Sequence, residues 1–319
     1  MSDPTILAAL SVLLFGGLQE APTVQPQQPP AAVAPSDAAD EDAPHRVGDV
    51  YVSGRSLQDE ATAFVGAVAA PPMRRGLARW QTRVCVGVAN LRNDVAMALA
   101  DHVSRVAVDV GLRVGDPGCT PNVVVIFADD AQGLATGLVE RDRKAFRLGV
   151  DGLDRGNRAL AAFQTSERPV RWWHVSMPVI GVTGQRAIRM PGDTGFILVP
   201  GEGLIHAGRP INDALSKVII IVDADQLAGA TLPQLGDYIA LVSLLQVDPD
   251  GDTREFPTIL NLFENPQGTP GFSAWDRSYL AALYDAYPER VNPWDQAAAM
   301  ARGIKRAEAR AERETDPRP

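Results

Sequence analysis

Between Lys217 and Gln246 the hydrophobic pattern changes from a continuous run to a helical period. Val218 to Val222 are five consecutive β-branched residues ending at Asp223 and Asp225, the pattern of a strand buried on both faces. A short link follows, and an apolar helix is predicted from Leu232. Two further runs of the same kind lie upstream, at Arg83–Ala89 and Asn122–Ala128. Between them Val95, Leu99, Val103, Val106 and Val110 keep a helical stripe that opens at Asn93 and ends at Gly111. Strand, helix and strand in this order predict a parallel pair joined by a crossover helix.

Other elements are read from shorter signals. Gly48–Ser56 alternates weakly, as an edge strand does, and Glu60–Ala69 reads as a short helix stopped by Pro71 and Pro72. Asp129 and Asp130 end the 122–128 strand, where they serve either as active-site acids or as the cap of a helix at Ala131–Glu140; capping is the reading taken. Asp142–Gln164 is charged and helical in pattern. Val170–Met177 and Gln185–Met190 form a hairpin in outline, and the glycine-rich Pro191–Arg209 is read as a loop. Near the C-terminus, Ala297, Met300 and Ile304 offer a narrow apolar stripe on a helix within Pro293–Glu314, either docked on the domain or frayed in solvent.

Composition changes this picture at the N-terminus. Ile6–Leu18 has the length of a signal-peptide apolar core and is short for a membrane span, although Asp3 stands where a basic residue is expected. Ala21–Ala43 is rich in Pro, Ala and Gln, the composition of a tether. The segments expected are therefore a signal peptide or anchor (1–20), a tether (21–46), an edge strand with a short helix (47–76), a globular domain (77–292) and a C-terminal helix and tail (293–319). Periplasm or cell envelope is the expected compartment, with contact to membrane only through the N-terminal segment; a cytosolic protein is the alternative. An exported chain with two cysteines permits one disulfide, Cys85–Cys119, against a pair of unrelated thiols. The net charge of −9 supplies no basic face for nucleic acid.

Candidate chemistry is sparse. The four histidines are His45, His102, His174 and His206. His102, on the flank of its helix, reads as a partly covered surface residue rather than a ligand. Trp172, Trp173 and His174 form the densest aromatic patch; strand alternation sends the tryptophans to opposite faces, one to the core and one to a cleft or interface. Ser176 only shares a face with His174, and no G-x-S-x-G elbow is present. No phosphate loop motif occurs in the glycine-rich segment. Asp223, Asp225 and Asp237 are acids that a glycosidase-like groove would need, though acids at strand ends are common.

From Lys217 onward the chain resembles the zincins, the metzincin and matrixin-type zinc proteases in particular. Thr258-Ile259-Leu260-Asn261 stands where those proteases have the turn beneath the metal, with Leu260 in place of the methionine. Phe272-Ser273-Ala274-Trp275-Asp276 through Leu283-Tyr284 is similar to their closing signature, a Ser-x-x-Asp cap opening a helix that ends in Leu-Tyr. The resemblance implies an α+β fold: a mixed sheet with a crossover helix, a central helix, and a closing C-terminal helix. It also implies where H-E-x-x-H belongs, and there the chain has Gly236, Asp237 and Ala240, with Ser243 for the later glycine and Gln246 near the third histidine. No metal and no cofactor is expected.

The function expected is a non-catalytic binding or scaffold role toward a protein or peptide, in the cleft below the central helix or along the edge strand. Trp172, Trp173, Asp223, Asp225 and Tyr238 are its candidate residues. The alternative is a hydrolase in the same cleft with a displaced site drawn from His174, Asp223, Asp225, Asp237 and Tyr238, of which Asp237 and His174 are the catalytic candidates.

Overall fold

The computed structural model describes residues 56–71, 76–147, 154–181, 183–189, 196–201, 203–206, 211–227, 229–285, 297–306 and 309. The segments expected as leader and tether (1–46) and as an edge strand (48–56) lie outside them, apart from Ser56. Ser56 caps α1 (Leu57–Val68) in a reciprocal box with Asp59.

The main sheet is mixed. β1 (Arg79–Trp80), β2 (Val86–Ala89), β3 (Val123–Ala128) and β8 (Ile211–Asp223) run parallel in the order β1-β8-β3-β2, and β4 (Val170–Ile180) lies antiparallel on the other side of β8. β4 carries Pro178, which an edge strand tolerates because one side of its backbone needs no partner. β5 (Ile188–Arg189), β6 (Phe196–Val199) and β7 (Gly203–His206) form a separate antiparallel sheet. The expected hairpin is therefore brief: Val179 bridges Arg186, and the chain then leaves for the second sheet. The segment read as a loop at 191–209 contains two of that sheet's strands. Their four-residue length and interspersed glycines hide them from any periodicity.

Helices cover both faces, and side-chain parity explains why. In β8, Val218, Ile220 and Val222 enter the main core with α1, α2 (Asn93–Asp109), α6 (Leu232–Leu244) and α7 (Ala274–Asp285). Ile219 and Ile221 enter a second core with α3 (Ala131–Arg141), α4 (Arg143–Phe146) and α5 (Gly156–Thr165). A register slip against β4 between Val175 and Ser176 reverses the parity, so Leu215 faces the same core as Val218. Asp130 caps α3 by accepting from the Gly133 amide at 2.7 Å. α2 buries Leu99, Val103 and Ala107, and at its end the Leu112 amide reaches back to the Ala107 carbonyl while Gly111 takes a positive φ of 81°.

The stretches outside 77–292 share the main core. Phe64 of α1 packs edge-on against Phe256, Trp275 and Tyr279, and Ala297, Met300 and Ile304 of α8 (297–306) are fully buried. The C-terminal stripe is thus docked rather than frayed. Cys85 and Cys119 are joined, with Cα atoms 6.1 Å apart, pinning the 112–122 loop to the start of β2. Among the described residues no helix is long and apolar enough to cross a membrane.

Candidate functional site

α6 is the most enclosed helix of the fold. Thr231 caps it in a box with Gln234, whose amide also donates to the Pro266 and Thr269 carbonyls and so fixes the 266–269 segment to the helix start. A Cβ at Gly236 would lie 2.8 Å from the His102 ring, so α2 and α6 touch through a position that only glycine fills. Ala240 and Ser243 are fully buried. Asp237 already uses both oxygens: Oδ1 lies 2.6 Å from His102 Nε2 and Oδ2 accepts from the Phe272 amide at 2.8 Å. Gly271 lets that backbone approach, since a Cβ there would be 2.7 Å from Asp237 Oδ2. A zinc ion does not fit this face, because two of the three positions have no donor atom and the third is spent on neighbours. Among the described residues no group of three or more His, Cys, Asp or Glu is placed to hold a metal.

The carboxyl end of α6 is closed by side chains from three other elements. A helix leaves its last four carbonyls without internal partners. Here the Leu245 amide reaches the Leu241 carbonyl, His174 Nε2–H donates to Val242 at 2.7 Å, Trp80 Nε1–H to Ser243 at 2.9 Å, and the Tyr284 hydroxyl to Leu244 at 2.7 Å. Burial lowers the His174 pKa to about 4, so the imidazole is neutral at pH 7. This histidine is a cap. Tyr284, the tyrosine of the closing Leu-Tyr, acts as another, and burial raises its pKa.

Asp276 forms a second joint. It is fully buried, accepts from the Thr258 hydroxyl (2.5 Å), the Ile259 amide (2.9 Å) and both the amide and hydroxyl of Ser273, and so ties the 3-10 turn Ile259–Asn261 to the start of α7. Burial raises its pKa while the donated bonds pull the other way.

The opening lies on another side of α6. Trp172 and His174 share a face of β4, and Trp172 meets Tyr238 edge-on at 6.1 Å while Tyr238 meets Phe263 at 5.1 Å. These three rings, with Val247 and Leu260, border a cavity of about 570 Å³ whose charged lining residues are Glu167, Arg168, Asp248 and Glu264. Trp172 is anchored by its indole N–H on the Val247 carbonyl at 3.0 Å.

Next to this cavity runs the edge of β4. The Asp223 amide donates to Pro169, and antiparallel alternation then points the amides and carbonyls of Val170, Trp172 and His174 away from β8. Among the described residues no strand pairs with β4 along 170–175 on that side. A narrow cavity of about 50 Å³ follows residues 170–174 between α5 and the 246–250 segment. Its two walls are joined by Arg155–Asp248 at 2.7 Å and Arg168–Asp250 at 3.1 Å.

The structure thus brings Trp172 and Tyr238 together at the wider of these two cavities, lines the narrow one with Trp172, Trp173 and His174, and places Asp223, Asp225 and Asp237 at neither. Trp173 faces the second core, where its N–H donates to the Phe146 carbonyl at 2.8 Å, and Trp172, on the opposite face of β4, borders the cavity; both rings are buried. Asp223 caps the turn that follows it, accepting from the Asp225 amide and the Gln226 side chain, and Asp225 is exposed. Phe263, the two Arg–Asp pairs and the His102–Asp237 pair had no local signal, since their partners are far apart in sequence. Neither a protein-family model, nor a curated protein, nor a solved structure matches this chain.

Proposed function

We propose that this chain is an exported or envelope-tethered domain of zincin-like topology that works without zinc and binds a protein or peptide partner. The partner lies along the outer edge of β4 and over the cavity at Tyr238. The reading is carried by one observation: an aromatic-floored cavity of about 570 Å³ adjoins a strand edge whose outward amides have no strand partner among the described residues. Such an edge offers main-chain hydrogen bonds to an extended peptide, and the adjoining cavity receives a side chain from it.

Three further features support the zincin-like part. A buried strand (β8), a link, a central helix (α6), a turn at 258–261 and a closing helix (α7) follow in the order the resemblance implies. Ser273 and Asp276 form the expected cap, and Tyr284 lies at the expected helix end. The face that would carry H-E-x-x-H is packed against α2 instead. The partner strand must displace the two Arg–Asp pairs over the β4 edge, of which the exposed one, Arg168–Asp250, contributes on the order of 1 kcal/mol or less.

The test is selection of binders from a random peptide library on the whole chain, followed by amide resonance mapping. The expected binders shift the Val170, Trp172 and His174 amides. Binders that leave these amides unmoved, or a library that is cleaved, would contradict the proposal.

A further inference from the structure

The cavity at Tyr238 combines aromatic rings with uncompensated negative charge. Trp172, Tyr238 and Phe263 supply the rings. Of the charged residues lining it, Arg168 is held by Asp250 and Asp248 by Arg155, which leaves Glu167 and Glu264, both exposed and neither in an ion pair among the described residues. Arg254, whose charge reaches Glu264, is itself forked onto Asp252 at 2.9 and 2.6 Å. The chain as a whole carries −9, so its long-range field also draws cations.

We propose that this cavity receives a basic side chain, arginine or lysine, from the partner polypeptide; this rests on the peptide-binding reading above. The alkyl stem of such a side chain matches Val247 and Leu260, its cation is drawn to the electron-rich rings that border the cavity, and its charge is balanced by Glu167 and Glu264 at the rim. A purely apolar side chain would satisfy the floor and leave both glutamates without a counter-charge. An acidic one would meet them with like charge.

Titrating the full chain with N-acetyl-arginine amide, N-acetyl-norleucine amide and N-acetyl-glutamate amide, while following the ring resonances of Trp172 and Tyr238, tests this. The arginine compound is expected to bind about threefold or more tighter than the norleucine one, to weaken as salt is raised, and to weaken again in Glu167→Gln/Glu264→Gln while norleucine binding stays unchanged. Norleucine binding as tight as arginine, arginine binding indifferent to the glutamate changes, or no response to any probe would overturn the assignment. The strand reading fails separately: arginine shifting the rings, with no peptide shifting the β4 amides, removes strand addition and leaves the cation site standing.

Discussion

At its carboxyl end α6 has a donor for each carbonyl from Leu241 to Leu244, drawn from the chain just beyond the helix, β4, β1 and α7, whereas at Tyr238 the same helix borders open space. The closed end uses the residue types that suggest chemistry, His174 above all. The open part uses residue types that suggest core, Trp172, Tyr238 and Phe263. Around this helix, then, His174 and Asp237 belong to the frame, and the ring of Tyr238 borders the space where we propose that a partner fits.

The largest test of that contrast is to build a histidine pair with an intervening glutamate into the packed face. Gly236→His, Asp237→Glu and Ala240→His together insert two imidazoles where even a Cβ at 236 would lie 2.8 Å from the His102 ring and where Ala240 is fully buried, and should cost on the order of 5 kcal/mol. Thermal unfolding is expected to lose its cooperative transition; an unchanged midpoint would mean that the face is loose. The next effect is the pH dependence of His174. Its folded pKa near 4 lies below the usual 6.5, so the unfolded chain binds the extra proton first. This contribution to stability is present above about pH 6.5 and is lost as pH falls toward 4, by on the order of 3 kcal/mol in all. In His174→Gln that share of the acid destabilisation in urea titrations should vanish, and its persistence would place the titrating group elsewhere.

Smaller effects separate frame from opening. Tyr284→Phe leaves the Leu244 carbonyl without its donor and should lower stability by about 1 to 2 kcal/mol, without changing probe binding at the cavity. Glu264→Gln should do the reverse, shifting stability by less than about 0.5 kcal/mol while weakening the arginine probe. If both variants change both properties, the two parts of α6 are coupled and the contrast is lost.

Much of the frame was legible in the residues. The Val218–Val222 run, the stripe opening at Asn93, the cap at Asp130 and the Ser273–Asp276 box are local patterns with local causes, and each stands where the sequence puts it. Cys85 and Cys119 are joined as one of the two readings expected. The site was less legible because it depends on distant residues. His102 and Asp237 are 135 positions apart, and the pairs over the β4 edge are 93 and 82 apart. Alternation placed the two tryptophans on opposite faces correctly, but it carries no information on the helices that cover each face. β6 and β7 escaped for the same reason, since a four-residue strand is defined by its neighbour.

Elemental analysis of the chain purified without chelator decides whether α6 holds zinc. A folded protein with no stoichiometric metal is expected. Zinc near one ion per chain would contradict this expectation, because the packed positions 236, 237 and 240 would then have to be replaced by ligands the described structure does not bring together.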